Sequence, residues 1–271
     1  QLTAVNVRKH IIKMLYQAQS GHPGGSLSAV EAIVALYFKH MHHNVDNPDD
    51  PNRDRFILSK GHAAPALYAV LAEYGYFPID ELNQLRTVNC MLQGHPVCNR
   101  TPGIEASTGS LGQGLSFGIG VALAGKLDKR PYHVHVMVGD GETNEGQIWE
   151  AALTAGHYKL DNLVAIVDRN MFQLSGKTEE IKTIEPIDEK WRSFGWEVVD
   201  ADGNDPSSIL DALDACDLTT GKPCVIIAYT TKGKGVSFME NVKKWHHGVP
   251  SDEQYELAMN ELNAELERLQ S

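Results

Sequence analysis

The chain has 271 residues, of which 42% are hydrophobic and 22% charged, as is typical of a globular protein. This length is enough for one large domain with a substantial core, and we expect a single domain over residues 1–271. The net charge of −11 excludes a general nucleic-acid-binding role, because a phosphate backbone needs a basic surface. No apolar run reaches the roughly eighteen residues of a membrane span, and the N-terminus shows no signal segment. We therefore expect a cytoplasmic protein that binds neither a membrane nor nucleic acid.

Apolar and polar stretches alternate along the chain in the rhythm of helices and strands. In chain order, the pattern predicts helices at 3–18 and 28–43 (capped by Ser28), a strand at 55–59, a helix at 63–74, a helix at 112–127, a strand at 133–138, a helix at 146–158, strands at 163–168 and 196–199, a helix at 206–215, a strand at 224–229 and a C-terminal helix at 252–269. The four strands after residue 130 are rich in β-branched residues and fairly continuously apolar, as strands covered on both faces should be. The expected fold is α/β, a parallel β-sheet with helices on both faces and right-handed crossovers.

The cysteines are Cys90, Cys98, Cys216 and Cys224, without the close paired spacing of a zinc ribbon. We expect reduced thiols, with neither a disulfide nor a zinc site. The histidines His40, His42 and His43 lie at a predicted helix end with no fixed acidic partner, and we interpret them as surface residues.

A strand followed by Gly139-Asp140-Gly141 is the most informative segment. In open parallel sheets ligands bind outside the carboxyl ends of the strands, so Asp140 is expected to point into such a crevice. The next strand ends 30 residues later at Asn170, beside Asp140. The tripeptide alone is equally typical of a turn with a helix cap. The asparagine favours a Mg²⁺ site, because carboxylate and amide oxygens suit that ion.

This arrangement resembles the thiamine diphosphate motif, in which Gly-Asp-Gly precedes a pair of asparagines one strand-helix-strand unit later. The chain keeps the second asparagine and has Arg169 in place of the first. The resemblance implies thiamine diphosphate as cofactor, with Mg²⁺ (or Ca²⁺ or Mn²⁺) held by Asp140, Asn170 and the backbone carbonyl of Phe172.

Further blocks resemble transketolases in particular, in the family's order over nearly the whole chain. They lie at 20–24, 58–63, 94–96, 108–114, 231–236 and 245–248. The resemblance implies the following cofactor-binding residues: His62, Gly109, Ser110, Leu111, Asp140, Gly141, Glu145, Asn170, Lys232 and His247. Lys60 is a further possible partner for a phosphate, although a solvated surface lysine is a serious alternative.

Several histidines lie in glycine-flanked loops, where neutral or protonated imidazoles can exchange protons with sugar oxygens near neutral pH. A single such histidine is more often a loop residue with a structural hydrogen bond. By resemblance, His22 and His247 are the best candidates for proton transfer, and His62 and His95 are expected to make supporting contacts. His246 precedes His247, and we choose His247 because it directly precedes Gly248.

Transketolases carry the acid that activates the cofactor's pyrimidine on a second domain, which follows the diphosphate domain and acts across a dimer interface. No segment of this chain resembles that domain, so the resemblance implies either an excised domain or one subunit of a two-subunit transketolase. We favour the second, with a separate pyrimidine-domain subunit in an α2β2 heterotetramer. Acids matching Glu145 and Glu150 link the two active sites in the family, although an exposed helix face explains Glu150 equally well.

The expected function is two-carbon ketol transfer from a ketose phosphate to an aldose phosphate, catalysed together with that partner. Alternatives are a deoxyxylulose-phosphate synthase, a cofactor-binding subunit without turnover and, more distantly, a nucleotide-binding Rossmann protein. The blocks at 58–63 and 94–96 argue against the synthase.

Overall fold

The computed structural model describes residues 1–217 and 220–271. Its main sheet has five parallel strands in the spatial order β1-β2-β3-β7-β6, and β4 and β5 form a small antiparallel pair. The strands are Arg55–Leu58 (β1), Val134–Gly139 (β2), Leu163–Arg169 (β3), Phe172–Gln173 (β4), Gly176–Lys177 (β5), Glu197–Asp202 (β6) and Cys224–Tyr229 (β7). The predicted α/β fold with a parallel sheet is confirmed.

The helices connect the strands and extend the fold at both ends of the chain. They are Leu2–Ala18 (α1), Pro23–Leu27 (α2), Val30–Ala35 (α3), Ala64–Tyr74 (α4), Gln113–Leu127 (α5), Gly146–His157 (α6), Thr178–Ile181 (α7), Ile187–Ser193 (α8), Pro206–Asp217 (α9) and Asp252–Gln270 (α10). Shorter 3₁₀ turns lie at Gly61–Ala63, Ile79–Gln84, Gly141–Asn144 and Lys243–His246, and a π turn lies at Leu36–His40. Along the described parts of the chain, no helix combines the length and apolar character needed to cross a bilayer.

Alternate residues of the central strands build a separate core on each face of the sheet. In β3, Val164 and Ile166 pack with residues of α1, α3 and α4, whereas Ala165 and Val167 pack with residues of α5 and α6. Successive side chains of a strand point to opposite faces, so a strand between two helical layers must be apolar throughout. Both faces are thereby closed, and the carboxyl edge of the sheet is left for a ligand.

The helix predicted at 28–43 differs most from the structure. Helical turns begin earlier, at Pro23, and run in separate segments to His40. Ser28 is fully buried and donates a hydrogen bond to Asp168 Oδ2 at 2.7 Å instead of capping a helix. The tertiary partner therefore outweighs the local capping tendency of serine.

The interpretation of the histidines at the end of this segment as surface residues is correct for His42 and wrong for His40. The His40 side chain is 8% exposed, and its ring nitrogens lie 3.9 Å from Asp214 and 3.6 Å from Asp217. His43 is half-buried and stacks near Tyr74. The acidic partners lie on α9, far away in sequence, so the local pattern did not indicate them.

The prediction of reduced thiols is wrong for Cys216 and Cys224, which form a disulfide. The return from the end of α9 to the start of β7 brings their Cα atoms to 5.6 Å, within the range that a disulfide spans. Cys90 and Cys98 are free thiols.

Candidate active site

A cleft of about 460 Å³ lies at the carboxyl edge of the sheet, where the ends of β1, β2 and β3 meet the segment after β7. Parallel strands place their carboxyl ends at one edge, so residues far apart in sequence converge there. Most of the site residues predicted from the sequence line this cleft: His22, His62, Gly109, Leu111, Asp140, Gly141, Glu145, Asn170, Phe172 and Lys232.

Three predicted residues, Ser110, His95 and His247, lie outside the cleft wall. The His95 ring packs against the glycine-rich loop, and a Cβ at Gly109 would lie 2.8 Å from His95 Cδ2. Gly109 also has a φ of +136°, a conformation that L side chains rarely adopt. His95 therefore supports the loop from outside.

The pairing of β2 with β3 places Asp140 beside Asn170. Gly139 is in register with Asp168, so the next residues on both strands leave the sheet at the same level. Asp140 Oδ1 accepts from Gly141 N at 2.7 Å, and Oδ2 accepts from Met171 N at 2.6 Å. Burial, with the Asp168 carboxylate nearby, raises the pKa of Asp140 to about 6. A cation at this position would favour the ionised carboxylate.

Arg169 stands where the resemblance would have an asparagine, and it is buried. Its guanidinium donates to Asp140 Oδ2 at 3.2 Å and to Thr178 at 2.8 Å. It also pairs with Glu179 at 3.1 Å and Glu185 at 2.7 Å. The side chain therefore ties the Asp140 carboxylate to the segment that follows β5.

A second buried charge pair, Asp168 with Lys60, lies next to the site and positions Asn170. The Asp168 carboxylate accepts from Lys60, Thr230, Ser28 and Asn170. Burial by itself would raise the pKa of Asp168, but the Lys60 ammonium and the hydrogen bonds outweigh it, so the pKa is lowered. Lys60 is 1% exposed and is not a solvated surface lysine. Asp168 fixes the Asn170 side chain, because the amide Nδ2 donates to it at 3.0 Å.

Glu142 is a positioning residue that the sequence did not single out, although it directly follows Gly-Asp-Gly. It is 3% exposed and accepts from Ser59 Oγ, from Gly112 N at 2.9 Å and from Gly139 N at 3.0 Å. Burial raises its pKa. One carboxylate therefore holds together the end of β1, the glycine-rich loop and the turn that carries Asp140.

Three of the histidines that line the cleft, His22, His62 and His246, form a cluster. The ring centroids of His22, His62 and His246 lie 5.3 to 5.7 Å apart. Lys232 Nζ lies 3.0 Å from His246 Nδ1. The geometry favours His246 over the residue chosen from the sequence, since His246 lines the cleft and His247 is exposed, 4.8 Å from the His22 ring.

Burial is the main reason why these imidazoles are neutral. Burial lowers the pKa of His22 to about 4, and the neighbouring His247 lowers it further. Burial lowers the pKa of His246 to about 3, and the Lys232 charge adds to this effect. Burial and the Lys60 charge hold the pKa of His62 well below its ordinary value. Burial also lowers the pKa of Lys232 to about 8. An anionic ligand in the cleft would reverse these shifts.

The buried Nδ1 of His22 has no hydrogen-bond partner within residues 1–217 and 220–271. Buried polar atoms normally have partners, so this nitrogen fits a polar ligand in the cleft. Together with Asp140 and Asn170, which line the same cleft, it matches a ligand that carries both a metal-bound anion and polar groups.

Because burial lowers the pKa of these histidines, we expect the folded protein to lose stability in acid. The unfolded chain binds a proton at His246 below pH 6.5, whereas the folded state does so only near pH 3, so the free energy of unfolding falls as the pH drops between these values. Between pH 6.5 and pH 3, we expect the free energy of unfolding of a His246→Gln variant to fall by on the order of 2 kcal/mol less than that of the wild type, with solvent screening of the charge taken into account. Urea unfolding at several pH values measures this, with exposed His157→Gln as control. Equal acid slopes for His246→Gln and the wild type would contradict the expectation.

A parallel α/β domain with Asp140 and Asn170 at adjacent strand ends is the architecture of a thiamine-diphosphate-binding domain. The profile of the family described as "Transketolase, thiamine diphosphate binding domain" matches residues 1–264. The chain belongs to the transketolase family, and the resemblance found in the sequence is confirmed.

The chain matches two kinds of relatives, some of about its own length and others more than twice as long. It is 45% identical over 270 residues to a subunit of the apulose-4-phosphate transketolase of Phocaeicola vulgatus, covering all of this chain and 96% of that protein. It is 45% identical over 259 residues to the 6-deoxy-6-sulfo-D-fructose transketolase subunit SqwG of a Clostridium species, covering 96% of this chain and 94% of that protein. A transketolase of Rattus norvegicus is 42% identical over 245 residues, which cover 90% of this chain and 39% of that protein.

Solved transketolases share the fold. The structure of transketolase from Campylobacter jejuni aligns with a TM-score of 0.91 at 32% identity, covering 96% of this chain and 42% of that chain. The chain therefore spans about two fifths of the longer transketolases that it matches and nearly the full length of the relatives named as subunits.

Proposed function

We propose that this chain, the thiamine-diphosphate-binding part of a transketolase, transfers a two-carbon ketol unit from a ketose phosphate to an aldose phosphate together with a partner subunit. The observation that carries the proposal is one cleft lined by Asp140, by Asn170 and by a cluster of neutral histidines. A metal-diphosphate site and proton-exchanging groups in the same cleft are what ketol transfer with this cofactor requires.

Asp140, Asn170 and the backbone carbonyl of Phe172 are proposed to hold the metal, with Mg²⁺ as the expected ion. Support comes from their convergence on the cleft and from the donor set, a carboxylate, an amide oxygen and a carbonyl, which suits a hard cation. Phe172 N donates to Asn170 Oδ1 at 3.1 Å, which holds the two residues together. Thiamine diphosphate, when bound, supplies a nucleophilic ring carbon that accepts and passes on the ketol unit.

The remaining cofactor contacts are proposed from charge and shape. Lys232 and His246 line the cleft and present hydrogen-bond donors toward it. Lys232 is 1% exposed, so bulk water does not solvate the charge of its ammonium group. A diphosphate would supply that counter-charge. Gly109 and Leu111 give the cleft an apolar wall on the side of the glycine-rich loop, where a flat heterocyclic ring can pack. Glu145 lies at the exposed rim, on the side where a partner would close the site.

The histidines are proposed to exchange protons with the substrate oxygens. Neutral imidazoles accept protons without the repulsion between cations that a charged cluster would create, and the cleft holds them neutral at pH 7 by burial. His22 is the first candidate because its Nδ1 lacks a partner among the described residues. His246 is the second because it joins the cluster from inside the cleft.

Alanine variants of His22, His246 and His247 test these roles in the reconstituted enzyme. We expect His22→Ala and His246→Ala to lower turnover by about 100-fold or more, because each removes an acid–base group, while cofactor binding by calorimetry persists. His247→Ala is the matched control, since its side chain is exposed beside the same cluster. A large loss at His247 with near-normal turnover at His246 would reverse the assignment made from the geometry.

A separate subunit with the pyrimidine-binding domain is proposed as the partner, in an α2β2 assembly that acts in the cytoplasm. Relatives that match over 96% and 94% of their length carry the word subunit in their names, which supports a two-subunit enzyme. The same names, apulose-4-phosphate and 6-deoxy-6-sulfo-D-fructose transketolase, support a branched or modified sugar as substrate. A panel of ketose phosphates with several aldose acceptors, assayed with the reconstituted complex, identifies it.

A further inference from the structure

A second cluster of ionisable side chains lies at the opposite edge of the sheet from the cleft. It contains His40, His133, His135, Asp214 and Asp217, and we call it the His40 cluster. Strand β2 joins the two edges, since His135 lies near its start and Gly139 at its end, about 13 Å away at 3.3 Å per residue. Neither the cleft nor the ketol-transfer chemistry involves these residues.

The distances within the cluster are those of a loosely closed metal site. His40 Nε2 lies 3.6 Å from Asp217 Oδ2, and one ligand atom from each of His40, Asp214 and Asp217 lies within 4.8 Å of the others. Around a tetrahedral zinc ion with bonds of about 2.0 to 2.2 Å, ligand atoms are about 3.3 to 3.6 Å apart. Closing the remaining gap needs rotation of Asp214, whose side chain is 75% exposed and free to move.

His135 is the independent observation that points to a ligand. It is fully buried, and neither of its ring nitrogens has a hydrogen-bond partner in the described part of the chain. Its ring centroid lies 5.3 Å from that of His40, at an interplanar angle of 86°. A buried imidazole without a partner is costly, so the unpartnered His135 nitrogens fit a polar ligand beside His40.

We propose that the His40 cluster binds a divalent transition-metal ion of the Zn²⁺ type, with His40, Asp214 and Asp217 as ligands and the unpartnered ring of His135 packed against His40. Imidazole nitrogens with carboxylates favour such an ion over Mg²⁺. His133 Nδ1 lies 3.3 Å from Asp217 Oδ1 and orients that carboxylate from outside, as partners of metal ligands commonly do. The ion joins the π turn that ends at His40 to helix α9, beside the start of β2, and so stabilises the amino edge of the sheet.

The test is calorimetric titration of the full chain with Zn²⁺ after removal of metals by a chelator. All proteins in the titration carry Asp140→Ala, so that the cleft does not contribute a carboxylate ligand. We expect one equivalent of Zn²⁺ with a dissociation constant of about 10 µM or tighter. Adding Asp214→Asn or His40→Ala should weaken binding by at least about 10-fold, because each removes a ligand. Asp211→Asn, an exposed residue of the same helix, is the matched control and should leave the affinity unchanged.

Several results would overturn the proposal. One is that the starting protein does not bind Zn²⁺. Another is that Asp214→Asn, His40→Ala and Asp211→Asn bind Zn²⁺ with equal affinity. Either result would show that the histidines and aspartates form ion pairs only. If His40→Ala does not fold, Asp214→Asn decides, because its exposed side chain makes few contacts. Binding of thiamine diphosphate with Mg²⁺ to a single Asp214→Asn variant is measured separately and should be unchanged, which separates this site from the cleft.

Discussion

Replacing Asp140 by alanine is expected to weaken the Mg²⁺-dependent binding of thiamine diphosphate by more than about 100-fold without unfolding the domain. Asp140 is the charged member of the proposed ligand set, and without it the diphosphate and the ion lose the carboxylate that joins them to β2. The fold should persist because Arg169 keeps Thr178, Glu179 and Glu185 as partners. Isothermal titration with cofactor and Mg²⁺ together, alongside circular dichroism, measures both effects.

Two variants control this experiment. Asp200→Ala removes an exposed carboxylate of edge strand β6, outside the cleft, and should leave cofactor affinity unchanged. Asp140→Asn keeps the shape and one oxygen ligand but removes the charge, so it should bind more weakly than the wild type and more tightly than Asp140→Ala. Wild-type affinity in a folded Asp140→Ala protein would show that the metal is held elsewhere.

The purified chain alone is expected to catalyse ketol transfer at least about 1,000-fold more slowly than its complex with a pyrimidine-domain transketolase subunit. The family places the acid that activates the pyrimidine on that domain. The cleft of this chain also has an open rim at Glu145, through which water can quench reactive species and weaken charge interactions. Partner binding should be tighter with cofactor present, by linkage. A coupled ketol-transfer assay with and without the partner measures the difference.

The chain alone should still bind thiamine diphosphate with Mg²⁺, which shows that its half of the site is folded. Adding the partner to Asp140→Ala should restore no turnover, which ties the activity to this chain's cleft. Turnover proportional to the concentration of the rigorously purified single chain would refute the need for a partner.

Much of the fold was predictable because its signals are local. The strands β2, β3 and β7 are short, mostly apolar and rich in β-branched residues, and their predicted limits differ from the observed ones by at most one residue. Edge strand β6 extends to Asp202, beyond the predicted end at 199, because a strand paired on one side tolerates exposed Asp200 and Asp202. The Ser28 region was misjudged because its hydroxyl binds a carboxylate 140 residues away.

In the site, too, the features with a local sequence signal were predictable and those that depend on distant contacts were not. The position of Asp140 and Asn170 in one cleft was predictable from the sequence because strand ends in a parallel sheet converge wherever the strands pair. Glu142 and Asp168 were missed because their roles lie in hydrogen bonds to distant loops. The choice between His246 and His247 depends on which ring faces Lys232, and adjacent residues of one loop give no local sign of that.

The sequence by itself determined the family, the α/β architecture, the cofactor class and most of the residues that line the cleft, because apolar periodicity and strand-end motifs are properties of short segments. Only the tertiary structure decided the burial of Arg169 and Lys60, the Cys216–Cys224 disulfide and the His40 cluster. Each of these depends on side chains that meet only after the sheet has formed. Burial then sets their charge state, because removing water raises the free energy of an unpaired ion and selects the partners that neutralise it.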